Sequence, residues 1–259
     1  MQQLVKINPL ILPQGAVRHR LWMVYFFLTI AIIGGVGCSV VVIPLTLLGS
    51  IYEPAGELGS RALAAGIRLL LKAQPWLRAE LSLESIGRGP ALLVSNHRST
   101  LDAFILLSQV PGVQILAKDV LFLIPGLGLM MWLGRHISVR RGNAASFWKA
   151  MDRIESQLAA GRVVHIFPEM TRCQVGFVGT LPFLTAPFHR AQRAGVPIIP
   201  IVIKGTDEVW SKGNWGLRAG VTVSVKSLEP LDSAAFLTPE QLCNETQRRI
   251  SDALETMDH

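Results

Sequence analysis

Ala91-Leu92-Leu93-Val94-Ser95-Asn96-His97-Arg98-Ser99-Thr100-Leu101-Asp102 joins a short apolar run to a polar turn and then to a second apolar stretch, Ala103-Phe104-Ile105-Leu106-Leu107. The first run reads as a buried strand, and the turn leads into a helix with Ser99 or Thr100 as its cap. Asp102 then falls in the first helical turn, where negative charge is favoured. His97 sits in the turn before that helix. With the chain folding back there, the Asp102 carboxylate reaches one ring nitrogen of His97, fixes its tautomer and leaves the other nitrogen free to take a proton. That is a general base with its orienter. The plainer reading of the same spacing is a helix cap beside a surface histidine.

Outward from this stretch the chain alternates strand-like and helix-like pieces. Residues 91–95, 113–117, 137–139, 163–167, 198–204 and 221–227 read as strands, and 101–108, 143–160, 187–194 and 238–257 as helices. In the helix over 143–160, Phe147, Met151, Ile154 and Leu158 form the buried face and Gly161 closes the element. Such alternation predicts an α/β fold with a mostly parallel sheet covered by helices, whose chemistry gathers at loops beyond the strand ends. His97, Arg140 and the segment 169–172 all fall at such ends.

The N-terminal part is organised for lipid. Residues 21–48 carry no charge, a run long enough to cross a bilayer as one helix and too long for a typical cleaved signal. Lys6, Arg18 and Arg20 precede it, whereas Glu53 and Glu57 with only Arg61 follow, so a single span would export the remaining chain. Gly34, Gly35 and Gly37 cluster near its middle, and a hairpin bending there would leave both ends on one side. The expectation is that hairpin, with a single span as the alternative. Three regions follow: a membrane-anchoring helical segment over 1–50, an amphipathic helix and connector over 51–84, and the α/β domain over 85–259. In the second, Leu63, Ile67, Leu70 and Leu71 make one apolar stripe beside Arg61, Arg68 and Lys72, suited to a membrane interface or to the domain core.

Composition narrows the class. The chain has 259 residues, a net charge of +7 and a mean hydropathy of +0.39. Basic and apolar together point to an anionic membrane surface rather than to nucleic acid. Cys38, Cys173 and Cys243 are odd in number and scattered, which suits a reducing compartment and argues against a zinc site. There is no G-x-S-x-G elbow and no phosphate-loop signature, and Gly126-Leu127-Gly128 lacks the third glycine of a dinucleotide fingerprint. His19, His136, His165, His189 and His259 have no ligand-like spacing and read as structural. No metal and no cofactor is expected. For a substrate bearing phosphate, Arg140 and Arg172 are suited to bidentate contact and Lys118 to a point charge.

Three further blocks follow the histidine turn in order: Gly134-Arg135-His136-Ile137-Ser138-Val139-Arg140, Phe167-Pro168-Glu169-Met170-Thr171-Arg172, and Val196-Pro197-Ile198-Ile199-Pro200. With Asn96-His97 and Asp102, they resemble the four ordered blocks of the glycerolipid acyltransferase family, over about residues 85–205. The resemblance implies His97 and Asp102 as the catalytic pair, Arg140 in the block associated with acceptor phosphate, and Glu169, Thr171 and Arg172 in the block that positions the glycerol acceptor. It also implies a membrane enzyme on the cytoplasmic face of the inner membrane. His97 would deprotonate the free hydroxyl of lysophosphatidic acid, which attacks the thioester of acyl-CoA or an acyl-carrier protein, with donors such as backbone N–H groups holding the oxyanion. Acylation of another lysolipid is the neighbouring reading, and a non-catalytic membrane-anchored lipid-binding protein the alternative of a different class. Three departures touch the acceptor blocks. Met170 stands where the family has glycine, so the backbone avoids a positive φ or the turn is altered. Val139 replaces an acidic residue, and Leu184 falls in a downstream segment that is basic in relatives.

Overall fold

The computed structural model describes residues 5–7, 20–49, 51–87, 89–124, 127–174, 176–177 and 179–257. Arg18, His19 and His259, and the side chains of Lys6, Cys38 and Glu53, lie outside the described residues.

Strand β1 (Val5–Ile7) precedes a helix, α1, that runs unbroken over Arg20–Leu48, 29 residues long with a hydropathy of 2.5. By length and composition it can cross a membrane. The hairpin expected at Gly34, Gly35 and Gly37 does not form. Two π-helical stretches, Ile30–Gly34 and Cys38–Val42, carry the helix through the glycine cluster, each keeping its backbone groups hydrogen-bonded along the chain. The chain reverses after Gly49 instead, between this helix and the next. There Tyr52 is extended, with φ −137 and ψ 95, and a proline in the first turn opens α2 (Glu53–Lys72). The second helix lies back along the first, so close that a Cβ on Gly49 would come within 2.3 Å of Gly56 Cα. At the other end of the pair, Tyr25 Oη donates to the Ala73 carbonyl at 3.0 Å.

The apolar stripe of α2 turns to the protein core rather than to a membrane interface. Leu70 and Leu71 are buried and Ile67 is partly so, and the helix packs on α3 (Leu101–Gln109), where Arg68 donates to the Ser108 carbonyl at 2.9 Å. Buried Phe26 seats α1 on the same layer, its ring 5.8 Å from those of Trp76, Phe104 and Trp210.

The remaining strands are β2 (Arg78–Ser82), β3 (Ala91–Ser95), β4 (Gln114–Lys118), β5 (Ile137–Val139), β6 (Val163–Ile166), β7 (Ile198–Lys204) and β8 (Thr222–Ser227). They form one sheet in the order β1-β2-β8-β7-β3-β6-β4-β5. From β7 to β5 all neighbours are parallel, as the alternation predicts, while β8 runs antiparallel to β7 and β1 antiparallel to β2. Neither β1 nor β2 was expected. Arg78-Ala79-Glu80-Leu81-Ser82 carries helix-forming residues, and becomes a strand because its backbone pairs with β8 while Ala79 and Leu81 turn inward.

Helices α4 (Leu127–Leu133), α5 (Ala144–Ala159), α6 (Ala186–Ala194) and α7 (Pro239–Thr256) complete the domain. Asn143 caps α5 by accepting from Ser146 N at 2.8 Å, and Gly161, at φ +80, turns the chain away after it. Met151, Ile154 and Leu158 are buried as expected, with Phe147 packed beside them. Along β3, Leu93 joins one apolar cluster with α1, α2 and α3, whereas Leu92 and Val94 join the other with α5, α6 and α7. The sheet is covered on both faces, which is why β3 reads as a continuous apolar run.

Candidate active site

The turn after β3 is built around one carboxylate oxygen. Asp102 is fully buried, and its Oδ2 accepts from His97 Nδ1 at 2.9 Å and from the backbone N–H groups of Arg98 and Ser99, each at 2.7 Å. Of the expected hydroxyl caps of α3, Thr100 makes no cap bond, while Ser99 Oγ accepts from Leu101 N at 3.3 Å. Asp102 reaches back to take the donors itself, Ser99 Oγ donates to the Trp210 carbonyl at 2.7 Å, and Thr100 Oγ1 accepts from Arg172 at 2.9 Å. A His97 that donates from Nδ1 presents Nε2 as an acceptor. Its ring is stacked on Phe167, 3.9 Å between centroids and 18° between planes, and its side chain is 19% exposed. The ring is thus held by Asp102 and Phe167 and remains partly exposed.

Several polar groups around it make structural contacts. Asn96 clamps the backbone of Ile203, donating to its carbonyl at 2.7 Å and accepting from its N–H at 2.9 Å. Buried Arg98 donates to the carbonyls of Phe177 and Gly179, holding that loop over the turn. His165 lies behind Phe167 with Nε2 2.9 Å from Ser95 Oγ, and burial, aided by the charge of His97, pushes it down to about 3, so it stays neutral. His136 accepts from Ile115 N at 3.0 Å and is likewise lowered by burial, to about 4.

Glu169 departs from the acceptor-positioning role that its block implies. Its Oε1 accepts from His97 N at 2.8 Å, and its Oε2 accepts from Leu181 N at 2.9 Å and from the Cys173 thiol at 3.0 Å. With its side chain buried, the carboxylate is used inside the protein. Burial, reinforced by Glu169, pushes the Cys173 thiol up to about 12.

The cations divide in a way that spacing alone does not reveal. Arg140 is exposed and tied to Asp119 at 2.7 Å, whereas its neighbour Arg141, also exposed, donates to the Met170 carbonyl. Lys212 donates to Thr171 Oγ1 and to the Arg172 carbonyl, both at 3.2 Å. Lys118 is lowered by partial burial and then by the charges of Arg141, Arg172 and Lys212. Four cations therefore share one field around Thr171, and Arg172 ties that field to the His97 turn through Thr100. Arg141 and Lys212 were not among the expected site residues. The first was overshadowed by Arg140, and the second sits in an irregular loop with no motif around it. Among the described residues no cluster of metal-ligating side chains occurs.

Met170 itself holds φ +54. The turn keeps the glycine conformation with a side chain in place, closed by Met170 N donating to the Phe167 carbonyl at 3.0 Å.

A family model described as Acyltransferase matches residues 78–204, the span that holds the His97 turn, Glu169 and β7. Over that span the chain is similar to the glycerolipid acyltransferase family. It is 30% identical over 166 residues to the chloroplastic 1-acyl-sn-glycerol-3-phosphate acyltransferase of Arabidopsis thaliana, covering 64% of this chain and 45% of that one. The 1-acyl-sn-glycerol-3-phosphate acyltransferase beta of Homo sapiens is 34% identical over 150 residues, covering 57% of this chain and 52% of that one. The chain spans about half the length of the curated relatives it matches. In fold it is similar to the crystal structure of the 1-acyl-sn-glycerophosphate acyltransferase from Thermotoga maritima, with a TM-score of 0.73 at 23% identity over 92% of this chain and 95% of that one.

Proposed function

We propose that this protein is a membrane-bound 1-acyl-sn-glycerol-3-phosphate O-acyltransferase that uses His97 as general base. The observation that carries the reading is the His97–Asp102 pair with Nε2 left open, beside a field of four cations joined to the same turn. His97 Nε2 takes the proton of the acceptor hydroxyl as its oxygen attacks the thioester carbon of acyl-CoA or an acyl-carrier protein. The Asp102 carboxylate stabilises the resulting imidazolium, and the leaving thiolate receives that proton when the tetrahedral intermediate collapses. The acceptor phosphate is held by Arg172, Lys118, Arg141 and Lys212, with Thr171 among them. In this role Arg141 takes the place first given to Arg140. Glu169 is a positioning residue that holds the amide of His97. No cofactor takes part.

The exposed apolar helix α1 supports a membrane location, and the unpaired thiols suit the cytoplasmic side of the inner membrane. The non-catalytic alternative rested on Met170, and loses that support because the turn around it keeps the glycine conformation.

The test is acyl transfer by the purified full chain in vesicles, with acyl-CoA and acyl-carrier protein each paired with a panel of lysolipids. Transfer to lysophosphatidic acid is expected, with His97→Ala lowering kcat by at least about a thousandfold while vesicle binding persists. Arg172→Ala and Arg141→Ala should raise KM for the phosphate-bearing acceptor more than for the thioester, and Glu169→Gln should lower kcat more than it raises either KM. His97→Ala turnover within a few-fold of wild type would remove the proposed base.

A further inference from the structure

We propose that the 3₁₀ stretch Asp119–Leu123 and helix α4 together make a second membrane contact, separate from α1, that lies in the interfacial layer of a phospholipid bilayer beside the cation field. Residues 120–134 carry no charge, a run of fifteen. That is short of the roughly 20 residues a span needs and fits either a core element or an interfacial one. The structure decides against the core. A single 3₁₀ stretch, Asp119–Leu123, and α4 fold into a knuckle whose outer face is apolar: Val120 is 55% exposed, Leu123 80%, Ile124 46%, Leu127 42%, Leu129 45% and Trp132 69%. Its inner side is closely packed. Met130 and Met131 are buried, and a Cβ on Gly128 would lie 2.0 Å from the Phe122 carbonyl oxygen, so the 3₁₀ stretch and α4 are packed closely on each other. Six outward apolar side chains on one small element mark a surface that another apolar phase covers.

A bilayer is the occupant that the surroundings favour. Helix α4 packs against the C-terminal part of α1, where Leu47 and Leu48 are also about half exposed, so the patch continues the exposed face of the chain's longest apolar helix. Its two ends carry exposed Lys118 and Arg135, suited to anionic headgroups, and Trp132 supplies the amphipathic ring common at that depth. The nearest acidic group, Asp119, is already paired with Arg140. Lys118 belongs to the cation field, so an immersed knuckle sets that field at headgroup height, with a lysolipid tail still in the bilayer. This consequence rests on the acyltransferase reading; the immersion itself does not.

The experiment uses the full chain with Cys38→Ser, carrying a nitroxide at Leu123→Cys, at Leu127→Cys or, as a control outside the knuckle, at exposed Leu237→Cys, in vesicles of phosphatidylcholine and phosphatidylglycerol. Collisions with oxygen should exceed those with a water-soluble nickel chelate several-fold more at positions 123 and 127 than at 237. Water-like values at all three would overturn the proposal, and dipolar broadening between labels, surviving dilution in lipid, would give the patch to a second copy of the chain. In the second arm, Leu123→Glu with Leu127→Glu should raise KM about tenfold for a vesicle-borne acceptor and leave a short-chain, water-soluble acceptor within about twofold. Equal loss on both acceptors would overturn the link to substrate access. A wild type inactive on every acceptor would fail the acyltransferase reading, while the collision data would still decide the immersion.

Discussion

Met170 shows how a single residue departs from its block without undoing the site. A non-glycine side chain at φ +54 costs on the order of 1 kcal/mol, and the side chain offsets it by packing against the apolar cluster that includes Phe183 and Phe188. That direction explains why the substitution leaves the His97 turn intact: the extra atoms go to the core, while the backbone carbonyl stays available to Arg141. The two contributions can be separated. Met170→Ala keeps the strained φ and loses the packing, whereas Met170→Gly loses both the packing and the strain. Denaturant unfolding should therefore find Met170→Gly more stable than Met170→Ala by about 1 kcal/mol, against the usual cost of glycine. The reverse order would mean that the turn relaxes when the side chain is shortened.

At the scale of elements, the junction between α1 and the α/β domain is concentrated on one ring. Phe26 is fully buried among Trp76, Phe104 and Trp210. Phe104 is on α3, the helix that carries Asp102, and the Trp210 carbonyl accepts from Ser99, so the apolar helix rests directly behind the histidine turn. Phe26→Ala leaves a hole there that its neighbours cannot fill, at a cost of about 3–5 kcal/mol. The unfolding midpoint in micelles should fall accordingly, and Phe26→Leu should recover more than half of the loss. An unchanged midpoint for Phe26→Ala would mean that α1 is held elsewhere.

For the molecule as a whole, the neutral buried histidines set how stability responds to acid. His165 and His136 are lowered by burial to about 3 and about 4, from an ordinary 6.5. The unfolded chain binds protons at these positions below 6.5 and the folded chain does not. Stability is therefore retained above that pH and lost as pH falls from 6.5 towards 4, at up to about 1.4 kcal/mol per pH unit for each histidine. Urea midpoints measured between pH 7.5 and 5 should fall, and His136→Asn, whose amide oxygen can still accept from Ile115, should flatten the slope by about one histidine's share. A slope unchanged by that variant would assign the acid response to other groups.

By itself the sequence determined the elements whose residues act on their immediate neighbours. The apolar run of β3, the turn through His97 to Asp102 and the capped face of α5 are local, because strand burial, a five-residue reach and helical periodicity are properties of contiguous residues. The family blocks added their order. Interactions across distant parts of the chain were decided only by tertiary structure. A strand at Arg78–Ser82 exists because β8 lies beside it, and the glycine cluster in α1 stays helical because the chain has a better place to reverse, after Gly49, with α2 to pack against. The same holds within the site. Which of Arg140 and Arg141 joins the cations around Thr171 depends on Asp119 and on the Met170 carbonyl, 21 and 29 residues away. Glu169 holds the backbone of His97 because folding brings it against an amide 72 residues earlier in the chain. A charged side chain takes whichever partner the fold sets within hydrogen-bond reach, and that reach is a distance in space rather than a spacing in sequence.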